Sequence, residues 1–314
     1  MKPSLLSIVR CPECHGDFSL ETSTKSEGEI ESGKLQCNTC RQHYPIVRFI
    51  PRFVGSDQYV KSFSTEWRTF VETQLDQEME TATAETFHVK TGRVAEQFNE
   101  ALVLEAGCGM GRFLDVVSRN TRTTVVGFDL SLAVESAYLN VGARRNVHIV
   151  QADIMKPPFA PKIFDFVYSI GVLHHTPNPR MAFRSLVPLL KEDREIAIWV
   201  YSHYRRPPMS DLYRVATTRM PHGVILAVSR LLASVFPLTR KFRYLLVLLP
   251  MSIEDSYERR VLDNFDWYSP KYQFKFDTRD VVAWFKEMNF RDITILTVPI
   301  SVRGKLRKAS KLKD

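Results

Sequence analysis

The pattern of apolar and polar positions predicts strands alternating with amphipathic helices through the middle of the chain. Five short apolar runs, each followed by a segment of helical periodicity, occupy residues 101–105, 124–129, 147–153, 164–170 and 194–201. Further on, residues 278–288 have helical periodicity, residues 290–298 are predicted to form a sixth strand, and residues 299–306 a seventh strand. This alternation is typical of a parallel sheet with right-handed crossovers. The expected fold is therefore α/β, with a seven-stranded, Rossmann-like sheet.

The first of these strands ends in a glycine-rich turn, within the stretch ALVLEAGCGMGR. Glu105 closes the apolar run, Gly107, Gly109 and Gly111 alternate after it, and a helical segment follows. Glycines allow the backbone to turn sharply and to lie close to a ligand. The spacing of these glycines does not match G-x-G-x-x-G, the fingerprint of dinucleotide-binding sites. An acidic residue at the strand end would also repel the pyrophosphate of a dinucleotide. The turn therefore favours a ligand with positive charge and no phosphate.

Acidic residues also end the next two strands. Asp129 stands twenty residues after Gly109, where a carboxylate at the neighbouring strand end can accept both hydroxyls of a ribose. Asp153 ends the run VHIVQAD, where it is placed to bond an adenine amino group. The predicted ligand site therefore spans the ends of three strands.

Four stretches in register, LEAGCGMGR, VGFDLS, VQADIMKPPF and FDFVYSIGVLHHTPNP, resemble class I methyltransferases that use S-adenosylmethionine (SAM). SAM carries an ammonium and a sulfonium and no phosphate, which agrees with the acidic strand end. The resemblance implies a donor site at the carboxyl ends of the first strands. The residues predicted to bind SAM are Glu105, Gly107, Gly109, Gly111, Asp129, Leu130, Asp153, Ile154 and Ser169.

Four of the five cysteines form two C-x-x-C pairs, CPEC and CNTC, with 22 residues between them. Two such knuckles can bring four thiolates to one tetrahedral zinc ion. The predicted ligands are Cys11, Cys14, Cys37 and Cys40, with a structural role. The stretch LQCNTCRQHYPIVRFIPRF resembles the zinc ribbon fused ahead of many bacterial methyltransferases, which also occurs as a separate activator of tRNA and protein methyltransferases.

The net charge of +8 is unevenly distributed. Residues 203–250 carry +7 and 303–314 carry +5, so the remainder of the chain carries about −4. A catalytic body of this charge disfavours a nucleic-acid partner. The absence of an N-terminal signal pattern and of a run long enough to span a bilayer predicts a cytoplasmic protein.

Catalytic candidates lie at the carboxyl edge of the fourth and fifth strands. His174 and His175 are the predicted bases, since a neutral imidazole can accept a proton near pH 7. The alternative is that one of them hydrogen-bonds the loop backbone and that neither takes part in the chemistry. Tyr201 ends the fifth strand, and Asp266 with Tyr268 are weaker candidates. No N-P-P-Y, D-P-P-Y or Pro-Cys motif follows the fourth strand, which favours a small-molecule, sugar or lipid-linked acceptor. An RNA methyltransferase and a non-catalytic SAM-binding scaffold are the alternatives.

Two segments flank this core. Residues 57–93 are predicted to be helical, with an aromatic stripe of Tyr59, Phe63, Trp67 and Phe70 that either packs or lies over the SAM pocket. The apolar and basic insertion at 203–264 is interpreted as an acceptor lid, a homodimer contact or a peripheral membrane patch around Arg230, Arg240, Lys241 and Arg243. The predicted domain division is 1–55 for the ribbon, 56–92 for the helical connector, 93–202 for the SAM-binding core, 203–264 for the insertion, 265–303 for the remaining core and 304–314 for a basic tail.

Overall fold

The structure is a computed structural model that describes residues 1–54, 82–203, 209–239, 251–253 and 255–308. The predicted aromatic stripe of Tyr59, Phe63, Trp67 and Phe70 lies outside the described residues, as do Arg240, Lys241 and Arg243 of the predicted membrane patch. The described residues contain eleven strands, which form a four-stranded and a seven-stranded sheet.

The N-terminal sheet is an antiparallel ribbon of four strands in sequence order. Its strands are β1 (Phe18–Ser26), β2 (Glu29–Cys37), β3 (His43–Val47) and β4 (Ile50–Pro51). Three aromatic rings, those of Phe18, Tyr44 and Phe53, have centroids 5.0 to 5.7 Å apart and close one end of the ribbon. This cluster adds to the apolar contacts of the buried strand residues Ile30, Leu35 and Ile46.

The large sheet has the order β10-β11-β9-β8-β5-β6-β7. Its strands are β5 (Leu102–Ala106), β6 (Thr124–Asp129), β7 (Val147–Gln151), β8 (Phe164–Ile170), β9 (Leu190–Trp199), β10 (Phe290–Ile295) and β11 (Ser301–Leu306). The first five strands pair in parallel, while β11 runs antiparallel to both β9 and β10. The predicted α/β, Rossmann-like fold is confirmed, including the two late strands.

Helices cover both faces of this sheet. Before the insertion they are α1 (Ala82–Thr91), α2 (Arg112–Ser118), α3 (Ala133–Ala137) and α4 (Pro179–Leu186). The helix α4 begins with proline and is capped by the side chain of Asn178, which accepts the backbone N–H of Met181. Between β8 and α4, a short 3-10 turn (Leu173–His175) carries the two histidines.

Three helices are described in the segment that follows β9, namely α5 (Met209–Thr217), α6 (His222–Thr239) and α7 (Tyr257–Tyr268); α8 (Thr278–Glu287) then leads into β10. The insertion helices have a small core of their own around Ile225, Phe265 and Tyr268. The buried Arg214 on α5 donates to the carbonyl of Trp267 at 2.8 Å and to that of Pro270 at 2.6 Å. These bonds attach α5 to the end of α7.

The ribbon docks against the β7 edge of the large sheet. Arg52 forms a parallel bridge with Gln151, and the backbone N–H of Phe53 donates to the Gln151 carbonyl at 2.8 Å. The rings of Phe49 and Tyr138 stack with centroids 5.1 Å apart. One buried apolar cluster contains residues of both the ribbon and the large sheet. The two sheets therefore share a core.

Candidate active site

A cavity of about 320 Å³ opens at the carboxyl ends of the central parallel strands. In open α/β sheets this edge is where ligands bind. Residues from β5, β6, β8, β9 and α7 all contribute to its wall. The polar and glycine residues that line it are Lys90, Glu105, Gly107, Gly109, Arg112, Asp129, Gly171, His175, Thr176, Tyr201, Asp263 and Asp266.

Gly107 begins the turn with a φ of +81°, in the left-handed region that other residues rarely adopt. A Cβ at this position would lie 2.3 Å from a methyl carbon of Val172. The Gly107 N–H donates to the carbonyl of Phe128 at 2.8 Å, which holds the turn against β6. The position therefore requires glycine for both conformation and space.

Asp129 lies at the end of β6 in direct contact with this turn, and three donors hold its carboxylate. One carboxylate oxygen accepts the Gly109 N–H at 3.0 Å, while the other accepts the Ser131 N–H at 2.8 Å and the Ser131 hydroxyl at 2.7 Å. Removal from solvent raises the pKa of Asp129, and these hydrogen bonds oppose that effect. The network fixes the carboxylate at the end of β6.

Glu105 also lines the cavity but is almost completely buried. Its carboxylate accepts the hydroxyl of Tyr168 at 3.0 Å. Burial raises the pKa of Glu105 well above its ordinary value. A cation bound nearby would lower that pKa again, because it stabilises the charged form.

Not every predicted donor residue reaches the cavity. Leu130 and Ile154 line it, whereas Gly111, Asp153 and Ser169 are not among the lining residues. The Asp153 carboxylate accepts the Met155 N–H at 2.9 Å, and the Ser169 hydroxyl donates to the Ala106 carbonyl at 2.8 Å. Their contact with SAM stays a prediction.

The two histidines occupy different environments. His175 lines the cavity, and its Nδ1 lies 2.8 Å from the carbonyl oxygen of Tyr272. Because a carbonyl only accepts, Nδ1 carries the proton and Nε2 of a neutral ring keeps its lone pair. His174 is fully buried, and its ring centroid lies 3.8 Å from that of Tyr201. Of the two, His175 is the one placed to exchange a proton with a bound molecule.

Tyr201 and Asp266 meet beside the histidines, and the Tyr201 ring centroid lies 5.5 Å from that of His175. The Tyr201 hydroxyl donates to the Asp266 carboxylate at 2.8 Å, and both residues line the cavity. This bond joins the region after β9 to α7 of the insertion. Asp263, one turn earlier on α7, adds a second carboxylate to the same wall.

The sequence interpretation did not select Lys90, Arg112 and Trp199, which also line the cavity. The Lys90 ammonium lies 3.6 Å from the Trp199 ring centroid, a cation–π contact. Trp199 could have been selected because it lies near the carboxyl end of the predicted strand 194–201, and it is the last residue of β9 in the structure. Nothing in the sequence marks Lys90 as a cavity residue. It lies on α1, where a lysine is equally typical of the solvent-exposed face of a helix.

The four predicted zinc ligands converge in the ribbon. Their Sγ atoms all lie within 4.8 Å of one another, with Cys11 to Cys40 at 3.6 Å and Cys14 to Cys37 at 3.4 Å. Zinc at about 2.3 Å from each thiolate places the sulfurs of a tetrahedron about 3.8 Å apart. The donor set therefore fits a structural zinc ion.

Within the described ranges, no helix is long and apolar enough to cross a membrane.

Comparison with known proteins agrees with both parts of this description. Residues 104–198 match the family described as methyltransferase domain, and residues 2–48 match the family described as Trm112p-like protein. The first segment contains the glycine turn, Asp129 and the two histidines. The second contains all four clustered cysteines.

Similar curated proteins match this chain over about a third of its length or less. Malonyl-[acyl-carrier protein] O-methyltransferase of Legionella pneumophila is 38% identical over 86 residues, covering 27% of this chain and 30% of that protein. Phosphoethanolamine N-methyltransferase 3 of Arabidopsis thaliana is 30% identical over 111 residues, covering 35% and 23%. The matched segment thus spans less than a third of either relative. Their names give different methyl acceptors.

A complex of the Haloferax volcanii Trm112 methyltransferase activator with a methyltransferase is among the similar solved structures. It has a TM-score of 0.46 and 10% identity, and the match covers 80% of this chain and 97% of the other. The two family matches, together with the clustered cysteines and the sheet order, show that the chain carries a SAM-dependent methyltransferase domain of class I behind a four-cysteine Trm112p-like zinc ribbon.

Proposed function

We propose that this protein transfers the methyl group of SAM to a small-molecule, sugar or lipid-linked acceptor. The observation that supports this proposal is a single cavity that is lined both by the glycine turn and Asp129 and by His175, Tyr201 and Asp266. The first group fits the donor, and the second can orient and deprotonate an acceptor. Their shared cavity would bring the two reactants into contact.

On the donor side, Asp129 would accept the ribose hydroxyls, while Gly107 and Gly109 allow close approach of the ligand. Glu105 would face the positive charge of SAM, which would favour its ionised form. SAM supplies a methyl group on a sulfonium that is already a good leaving group. The protein therefore has to align the acceptor and accept a proton.

On the acceptor side, the nucleophilic atom of the acceptor forms a bond to the methyl carbon as the carbon–sulfur bond breaks and sulfur retains the electron pair. A hydroxyl or amine acceptor also loses a proton. In this proposal His175 Nε2 accepts that proton, since Nδ1 is held by the Tyr272 carbonyl at 2.8 Å. The Asp266 carboxylate, oriented by Tyr201 at 2.8 Å, would accept a hydrogen bond from the acceptor.

The α7 wall favours this acceptor class. It contributes Leu262, Asp263 and Asp266 to the cavity and no cation. Two carboxylates attract hydroxyl or ammonium donors and repel a phosphate backbone. The insertion would in this way form the wall of the acceptor site.

Methyl-labelled SAM, incubated with separate pools of low-mass metabolites, extracted lipids and total RNA, tests the proposal. We expect label in a metabolite or lipid fraction, and we expect His175→Gln to lower the turnover by about 10² to 10⁴ with little change in SAM affinity. The exposed residue Arg180, which pairs with Glu287, provides a matched control as Arg180→Gln. Label in RNA alone would support an RNA methyltransferase instead. SAM binding without any labelled product from the three pools would support a scaffold.

A further inference from the structure

Exposed apolar side chains are concentrated on two helices of the insertion. The described residues contain thirteen large hydrophobic side chains that are exposed, and six of them fall within residues 212–231. These six are Leu212, Val215, Met220, Val224, Val228 and Leu231. Isolated exposed apolar residues are ordinary on protein surfaces, but a cluster of this density marks an interaction site.

The cluster is not the face that holds the insertion together. On α6, Ile225 and Phe236 are buried, and Ile225 packs with Phe265 of α7. Val224, Val228 and Leu231 follow the spacing i, i+4, i+7 and form a stripe on the outward side of the same helix. The helix therefore has a second apolar face beyond the one that its packing uses.

A groove of about 160 Å³ connects this stripe with α5. Its walls come from Tyr213, Thr217 and Met220 on one side and from α6 on the other, and Tyr268 also lines it. Met220 and Val228 belong both to the groove and to the exposed cluster. Met220 and Val228 thus connect the exposed stripe of α6 with a recess that can take an aliphatic chain.

Arginines are the charged residues within residues 212–236, and Asp211 directly precedes this segment. Residues 212–236 contain Arg214, Arg219 and Arg230 and no acidic residue. Arg214 is buried against α7, whereas Arg219 and Arg230 are exposed. An apolar face bordered by exposed cations complements an anionic lipid surface. A second copy of the chain fits less well, because a two-fold contact through this face would bring the same cations together.

We propose that this surface, which we call the α5–α6 face and define by the six exposed apolar residues with Arg219 and Arg230, rests on an anionic lipid bilayer. The apolar stripe enters the region between head groups and acyl chains, and an acyl chain occupies the groove. The arginines contact the anionic head groups. This contact does not depend on the methyl-transfer proposal, since α7 presents other residues to the donor cavity.

Vesicle co-sedimentation tests the proposal with the zinc-loaded protein of residues 1–314. Vesicles of phosphatidylserine in phosphatidylcholine are compared with phosphatidylcholine alone, at low and at physiological salt. We expect pelleting with the anionic vesicles that weakens with salt. The double variant Val228→Glu, Leu231→Glu should reduce partitioning at least tenfold. Replacing Arg219 and Arg230 by Gln should reduce it by about fivefold for each arginine at low salt.

Leu139 provides the matched control, because it is 78% exposed and lies in the methyltransferase core outside the α5–α6 face. Leu139→Glu should leave partitioning within about twofold of the intact chain. All variants should retain the affinity for SAM's demethylated product, which reports a folded cavity. An intact chain that stays in the supernatant overturns the proposal. So does unchanged pelleting of the double glutamate variant, or a dimer that this variant dissociates in the absence of lipid binding.

Discussion

Replacing Arg52 by alanine should weaken both the attachment of the ribbon and the affinity for SAM. The Arg52 side chain is only 9% exposed. It donates to the side-chain carbonyl of Gln151 at 3.0 Å and to the Glu135 carboxylate at 3.1 Å. The Gln151 amide in turn donates to the carbonyl of Leu130 at 2.8 Å, directly after Asp129. A short chain of hydrogen bonds thus connects the ribbon with the wall of the donor cavity.

The size of the effect follows from these contacts. Loss of Arg52 leaves a buried acceptor on Gln151 without its donor, which costs about 1–3 kcal/mol. Glu135 is 26% exposed and still has Arg48 at 3.2 Å, so its contribution is small. We therefore expect the free energy of unfolding to fall by about 1–3 kcal/mol. Without Arg52, the Gln151 side chain is no longer held in place, and its hydrogen bond to the Leu130 carbonyl beside Asp129 is weakened. A loss equivalent to one hydrogen bond, about 1 kcal/mol, would lower SAM affinity by about fivefold.

Calorimetry with SAM's demethylated product, denaturant unfolding and zinc analysis together measure the outcome. Arg48→Ala is the matched control, because Arg48 binds the same Glu135 but is 75% exposed. It should change stability by less than about 0.5 kcal/mol and leave the affinity unchanged. Equal effects of the two substitutions would refute the reasoning. An Arg52→Ala protein with normal zinc, reduced stability and unchanged affinity would refute the link to the donor cavity.

Three further predictions concern the donor site, the zinc and the acid stability. Asp129→Asn should weaken binding of SAM's demethylated product at least tenfold by calorimetry, about 1.4 kcal/mol, because charge-assisted ribose bonds are lost; Asp153→Asn, measured beside it, should match that loss only if Asp153 holds the adenine. Cys37→Ser should lower bound zinc below one ion per chain and lower the unfolding temperature, as metal analysis and thermal unfolding will show, and full zinc retention would contradict the ligand set. Burial, with the ammonium groups of Lys2 and Met1, lowers the pKa of His148 from 6.5 to about 4. The folded state then binds fewer protons than the unfolded state, so stability is fully present above pH 6.5 and up to about 3 kcal/mol is lost as pH falls towards 4. His148→Leu should flatten that part of the pH profile of unfolding, and an unchanged profile would contradict the assignment.

The elements that the sequence predicted well are those set by local pattern. Apolar runs of strand length and helical periodicity specified the five parallel strands, and Gly107 was predictable because its turn requires a residue without a side chain. The four zinc ligands were predictable because two C-x-x-C pairs at this separation are typical of zinc sites. Each of these signals is contained within a few residues.

The contacts missed by the sequence interpretation join distant residues of ordinary type. Arg52 and Gln151 stand 99 positions apart, and neither differs in sequence from a surface residue. The difference between His174 and His175 was equally hidden, because it depends on the Tyr272 carbonyl, which lies 97 residues after His175. Pairs of this kind are determined by how elements dock, and periodicity does not contain that information.

The short bridge between Arg52 and Gln151 has a consequence for engineering the core. The strand β7 is the last in the large sheet, and its outer backbone groups would otherwise form an open edge able to pair with other chains. The ribbon covers part of this edge with Arg52 and Phe53, so it guards against aggregation as well as holding zinc. A fragment cut after residue 54 would expose that edge, and a soluble catalytic core would then need a lysine or proline placed on β7.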